Sequence, residues 1–444
     1  MAIIRSIYIS FFITLLRSTL AQVQPMDATA PWSLQKCMEY AVANNFTLKE
    51  ASLNSDVANI NYEQSRAQRL PNLNASIGQS LVNGTSIDPI TSNYVSQQIQ
   101  SGNSSVNSQV TLYGGNQIGN QIKQNRQLVA QNSLYEQEAK NNIVLNVSEA
   151  YWTALYYHAG IKIARDNHVL SIQQLDQIQA KYNAGSLTSR DLAEANSQKA
   201  ASFYNLVVSQ NTFAQQVLVL KQLLELDPTE PFAIDTSLAI PELIEQVPSK
   251  KDMYDLALTT LPEIQAARMQ IDINRTGLSI SRGAYLPSLT MNGRLYTGYT
   301  NTRNIEFARQ LGTNFNQQVG LSLNIPIFNR KQTWARVAIA KVNIDRAKYT
   351  YTTAQKDLYR NVETAWLNAN ARRSESQAAM AQKEAAQVAF TLAQQQFDLG
   401  LINPTDLRII QNTLFSAEQR YIQSKFQYVL YDALIQFYQG TLIK

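Results

Sequence analysis

Two histidines, His158 and His168, are the only imidazoles in the 444 residues, and they fall ten positions apart on one predicted helix. That separation is about 15 Å along the axis and sets the rings on different faces, so they cannot share a metal. The chain has no phosphate loop, nucleophile elbow or dinucleotide fingerprint, and its single cysteine, Cys37, has no intrachain partner. Neither catalysis nor a cofactor is expected. The charges worth attention are repeated ones: Asp191 lies six residues after Gly185, and Asp406 six residues after Gly400. Arg190 and Glu194 flank the first acid, and Arg408 follows the second. An acid early in a helix complements the dipole by about 0.3–1 kcal/mol, which is the plainer reading. The same acid at the same offset in two places also suits a pore lining that draws cations and repels anions.

The elements that must position these acids occur twice. Tyr182-Asn-Ala-Gly185 with Asp191-Leu192 returns 215 residues later as Phe397-Asp-Leu-Gly400 with Asp406-Leu407. Arg69-Leu-Pro-Asn-Leu73 returns as Tyr285-Leu-Pro-Ser-Leu289, and Glu149-Ala-Tyr-Trp152 as Glu363-Thr-Ala-Trp366. Nearly constant offsets across separated motifs imply two copies of one unit.

Residues 1–21 read as a signal peptide: a basic start, an apolar stretch too short to anchor, and small residues at Thr19-Leu-Ala21. Removing them lowers the net charge from +5 to +3, too slight to argue for nucleic acid. The mature chain then divides into a first repeat over 22–226, a proline-rich linker over 227–248 and a second repeat over 249–444. Beyond the leader no apolar run approaches the roughly 18 residues of a membrane helix.

Each repeat opens with two short helices, the first started by Ser33 or by a Ser249/Asp252 capping box, the second ending at a Leu-Pro. The period then changes to two. Ala75, Ile77 and Leu81 oppose Asn74, Ser76 and Ser80; Leu289, Met291 and Leu295 oppose Thr290, Asn292 and Arg294. Val106 and Val110 oppose Asn107 and Gln109, and Val319, Leu321 and Leu323 oppose Gln318, Gly320 and Ser322. Four alternating strands result, in two long-loop hairpins, with no other strands for a second sheet. Such strands suit either a soluble sandwich or membrane strands, and the second needs closure by oligomerisation, because open edges are not tolerated in lipid. Two copies would give a filled eight-stranded barrel, three an open twelve-stranded one. Tyr296 and Tyr299 are candidates for an aromatic girdle.

After the turns Tyr113-Gly-Gly-Asn116 and Phe328-Asn-Arg-Lys331 come roughly 70 residues of helical sequence without proline, about 100 Å of helix. Ile344, Tyr351, Leu358 and Ala365 are spaced by seven, as in a coiled coil. The helices break at Gly185 and Gly400, where a left-handed cap favours glycine, and then return. Trp152 and Trp366 read as core anchors between helices.

This twofold order of short helices, hairpin, long helix and aromatic-x-x-Gly tip resembles the TolC-like outer-membrane efflux proteins. The resemblance implies a fold that is mainly α with β: a homotrimer with four strands per chain in a 12-stranded barrel, continued by a coiled-coil helical tunnel. It implies a passive exit duct in the bacterial outer membrane, reaching into the periplasm, that expels small molecules with an inner-membrane pump and a periplasmic adaptor. A type I protein-secretion duct is the alternative within transport, and an exported coiled-coil spacer or adhesin the alternative outside it. The family gate maps onto Asp191 and Asp406; its second constriction acid falls at Ile409, with Glu194 in the equivalent place of the first copy, and its gate tyrosine position reads Phe397, without the hydroxyl, where the first repeat has Tyr182. The arginine two after Gly400 reads Ile402, and Arg190 and Arg408 stand nearby as substitutes.

Overall fold

Leu-Pro steps and glycine-bearing turns punctuate the chain, and the computed structural model, which describes residues 31–237 and 248–440, follows them. The expected signal peptide and residues 238–247 of the linker lie outside the described residues. In the first half α1 (Leu34–Asn44) and α2 (Phe46–Ala67) precede β1 (Asn72–Val82), β2 (Thr85–Ile87), β3 (Tyr94–Ser96) and β4 (Ile99–Gly114). Then come α3 (Gln117–Asn183) and α4 (Ser189–Leu223). The second half holds α5 (Lys250–Thr260), α6 (Pro262–Gly283), β5 (Ser288–Thr300), α7 (Phe307–Thr313), β6 (Asn316–Asn324), α8 (Gln332–Asp398) and α9 (Pro404–Tyr438). Helices of 11, 22, 67 and 35 residues occur in that order in both halves.

Both strand-to-helix turns place two consecutive residues in the left-handed region, Gly115 and Asn116 in one, Arg330 and Lys331 in the other. Gly115 is required by space as well: a Cβ there would meet the Gly283 carbonyl oxygen at 2.1 Å. The expected capping box at Ser249 is not formed, since its side chain makes no cap bond. Tertiary contacts secure that end instead: Lys250 pairs with Glu363 at 2.7 Å, and the Trp366 indole donates to the Pro248 carbonyl at 3.0 Å.

The described residues fall into two compact units, one from the spans 31–41 and 147–237, the other from 42–146 and 248–440. In the first, the fully buried Tyr151 donates its hydroxyl proton toward the carbonyls of Trp32 (3.1 Å) and Asp235 (2.9 Å). Lys221 donates to the carbonyls of Pro228, at 2.9 Å, and Glu230, so the start of the linker is tied down. Trp152 and Cys37 are buried there, as expected. The second unit packs Met253, Ala257, Leu261 and Ile264 against Leu358, Val362, Ala365 and Ala369 of α8, with Ile435 and Phe437 of α9. Buried α8 positions continue at 386, 390, 393 and 397, the alternating spacing of a coiled-coil seam.

The same unit contains an antiparallel sheet in the order β1-β4-β5-β6. Pairing of β4 with β5, Asn107 opposite Arg294, joins the two hairpins. The register aligns the faces inferred from alternation. Ile77, Leu295 and Leu321 share an apolar face, and that face is bare: Ile77 is 86% exposed and Leu321 68%. The opposite face carries Asn, Gln, Ser and Thr. Tyr296 falls on this polar face and only Tyr299 on the apolar one, because they are three residues apart in a structure of period two. Tyr299 lies across Gly102, whose missing side chain leaves it room, and meets Phe307 edge-on at 4.8 Å.

The loops are more ordered than their composition suggests. The expectation of no further strands is corrected by β2 and β3, which pair as a separate ribbon, and α7 fills the second loop. Buried Asp88 joins these loops: its carboxylate accepts from Thr300 (2.7 Å), from Thr302, and from the amides of Ile90 and Thr91.

Leu321→Arg is expected to cost about 2–4 kcal/mol of insertion, by setting a guanidinium in hydrocarbon, and so to deplete the protein from outer-membrane fractions. Ser322→Arg, on the polar face, should leave the fractionation unchanged.

Candidate functional site

The two helical tips are built by the same hydrogen bonds. At the first, Gly185 adopts φ +76°, its amide donates to the Tyr182 carbonyl at 2.9 Å, and the Ser186 amide to that of Lys181 at 3.0 Å. At the second, Gly400 adopts φ +73°, and the amides of Gly400 and Leu401 reach the carbonyls of Phe397 and Gln396 at 3.0 and 2.8 Å. Both are Schellman closures, in which a left-handed residue lets the last orphan carbonyls find donors. No atom lies within 4 Å of where either glycine would carry a Cβ, so dihedral strain alone favours glycine.

The acids restart the chain. Thr188 and Asp191 form a full capping box: the Asp191 amide donates to the Thr188 hydroxyl (3.2 Å), while the Asp191 carboxylate accepts from the Thr188 amide (2.8 Å) and hydroxyl (2.7 Å). At the second tip Asn403 accepts from the Asp406 amide (2.9 Å) and donates its own side-chain amide to the Asp406 carboxylate (2.8 Å), with Pro404 in the first turn. Each acid is therefore a working cap whatever else it does. The Thr188 amide and hydroxyl hold the Asp191 carboxyl below the usual carboxylate range, with a smaller contribution from Arg190.

The remaining gate residues differ between the copies. Arg190 pairs with Glu194 at 3.0 Å rather than with Asp191, and its side chain is largely in solvent. Tyr182 is 37% exposed, whereas its counterpart Phe397 is 1% exposed. A buried tyrosine would need a partner for its hydroxyl, and phenylalanine does not. Arg408 is half-buried, and Ile409 is exposed. Leu399 and Leu401 are also exposed at the second tip, an apolar surface that the sequence reading passed over, although two leucines around a turn glycine were its visible signal. Asp88 was passed over too, and its Asp-Pro step was the only hint.

The His158 ring stacks near Phe213 at 5.3 Å, and His168 meets the Ser202 hydroxyl at 3.0 Å. Among the described residues no group of three or more His, Cys, Asp or Glu is placed to hold a metal, and no helix is long and apolar enough to cross a membrane.

The chain belongs to the outer membrane efflux protein family, whose model matches residues 38–225 and 253–439. It is a family of outer-membrane channels, not of enzymes, and the chain is located in the outer membrane. The outer membrane protein TolC of Salmonella enteritidis is 22% identical over 437 residues, covering 96% of this chain and 84% of that protein. The alkaline protease secretion protein AprF of Pseudomonas aeruginosa is 23% identical over 309 residues, 68% of this chain and 62% of AprF. The crystal structure of the Campylobacter jejuni CmeC outer membrane channel shares the fold with a TM-score of 0.81 at 17% identity, over 92% of this chain and 86% of that one.

Thr188→Ala should cost the first turn of α4 about 1 kcal/mol, seen as faster amide exchange there. The lowered pKa of Asp191 sets the sign with pH: the cap contribution is present above the unfolded carboxyl value, near 3.9, and is lost as pH falls through the lower folded value. Protection of the first turn of α4, taken relative to the intrinsic exchange rate at each pH, should fall on acidification in wild type and respond less in Asp191→Asn.

Proposed function

We propose that three copies of the chain, each a tandem of two repeats joined by the segment 227–248, close one 12-stranded barrel continued by a helical tunnel. The assembly is a passive exit duct that expels small molecules, energised by an inner-membrane pump and reached through a periplasmic adaptor. The observation that carries this reading is the sheet: β1 and β6 are open edges, one face is bare and apolar, and the other is uncharged except at one position. Sister strands satisfy the edges, lipid the apolar face and water the polar one. Two copies would fill their own lumen, so a conduit needs three. A soluble spacer would leave the apolar face against water, which argues against that class.

A second reading, the exit duct of a type I protein-secretion system, is favoured by the likeness to AprF. The same barrel and tunnel serve it, and only the cargo differs.

The tips form the gate in this proposal. Asp191 and Asp406 each occur three times in the assembly, giving acidic rings that attract cations. Arg190 with Glu194, together with Arg408 and Tyr182, ties neighbouring tips, while Phe397 supports its tip from inside and Gly185 and Gly400 allow the turns.

Purified wild type should run as a trimer in detergent and give ion-conducting steps in planar bilayers; a monomer without steps would refute the proposal. Replacing both Asp191 and Asp406 by Ala should weaken cation selectivity and block by multivalent cations, read from reversal potentials. Arg190→Gln should raise the leak, and an unchanged leak would remove that arginine from the gate.

A further inference from the structure

Across the sequences of β1, β4, β5 and β6 one side chain is charged, Arg294. It stands on the polar face of β5, opposite Asn107 of β4 and Gln318 of β6. The guanidinium lies over the Tyr296 ring at 4.9 Å, and none of the ion pairs among the described residues involves it. A cavity of about 660 Å³ opens beside it, floored by Asn103 and Ser105, walled by Asn314 and roofed by Ile90 of the β2–β3 loop. That roof is held by buried Asp88, whose carboxylate is satisfied by two hydroxyls and two amides. Burial alone would push the Asp88 carboxyl up, but the bonds from Thr302, Thr91, Thr300 and Ile90 outweigh it and hold the group well below the usual range. A second guanidinium, that of Arg303, donates to the Asn314 wall at 3.4 Å.

We infer that this roofed vestibule is an anion-binding station on the exit path, with Arg294 as the recognition group and small carboxylate-bearing solutes as its ligands. The planar guanidinium presents a fork that matches a carboxylate, and beside it stand the Tyr296 ring and, in register on the neighbouring strands, the neutral residues Asn107 and Gln318. Ring stacking holds the fork in place without neutralising it. The site is open and carries a single principal charge, so it binds weakly, as a passage must if its occupant is to leave. The inference rests on the duct reading for its location on a path. In a trimer three copies of Arg294 would form a cationic collar, opposite in sign to the tip acids.

The test uses citrate, a tricarboxylate, added on the loop-bearing side of wild type in planar bilayers. Citrate should reduce the wild-type current, Arg294→Gln should weaken that block roughly tenfold, and Arg294→Lys should keep most of it. Block is read for each variant as a fraction of its own current without citrate. Equal block in wild type and Arg294→Gln would overturn the station while leaving the duct intact. If wild type gives no steps, the duct reading fails, and calorimetric titration of the detergent-purified protein with citrate decides the site alone: affinity lost in Arg294→Gln upholds it, equal affinity overturns it.

Discussion

A backbone amide or carbonyl facing hydrocarbon without a partner costs several kcal/mol, and no side chain can remove that requirement. The sheet of this chain ends in two such edges, β1 and β6, each beside a row of exposed apolar side chains. The proposed ring of sister sheets with lipid outside would answer both problems at once. The inward face can then be polar, and here it is built mainly from small amides and hydroxyls, with Gly298 making room for Ile90 of the β2–β3 loop; on the apolar face Gly102 makes room for the Tyr299 ring.

The helices follow a different economy. Their seams contain many alanines, and several buried seam positions are polar. Gln131 donates to the Ala266 carbonyl and to Gln270, both at 3.0 Å, and Thr276 meets Gln127 at 2.9 Å. Small residues allow close approach, and these paired polar groups fix the register of α6 on α3 in a way that apolar packing alone does not. A long seam needs such register marks, because a heptad pattern repeats and would accept a slip of one heptad.

The helical tips and the sheet loops handle charge in opposite ways. At the tips, acids are engaged in local caps and remain near solvent, so structure and electrostatics use the same carboxylates. At the loops, the acid Asp88 is sealed inside hydrogen bonds while Arg294 is left facing the polar lining.

Much of this was legible in the residues. The repeated Leu-Pro steps end helices because proline cannot continue them, and Gly185 and Gly400 stop the long helices because only glycine enters the left-handed region without strain. Alternation separated the strand faces correctly for the same local reason. Sequence reasoning failed where distant residues decide: β2, β3 and α7 are short polar segments held by Asp88, Thr300 and Gln310, which are far apart in the chain. It also failed at Ser249, where an ion pair and an indole replaced the local cap, and at Phe397, whose burial no neighbouring residue announces. By itself the sequence determined where elements start and stop and which face of each is apolar, since propensity and period are local properties. Only the tertiary structure decided that β4 joins β5 and that Arg294 stands beside a roofed cavity, because pairing and burial depend on groups that the chain brings together from far apart.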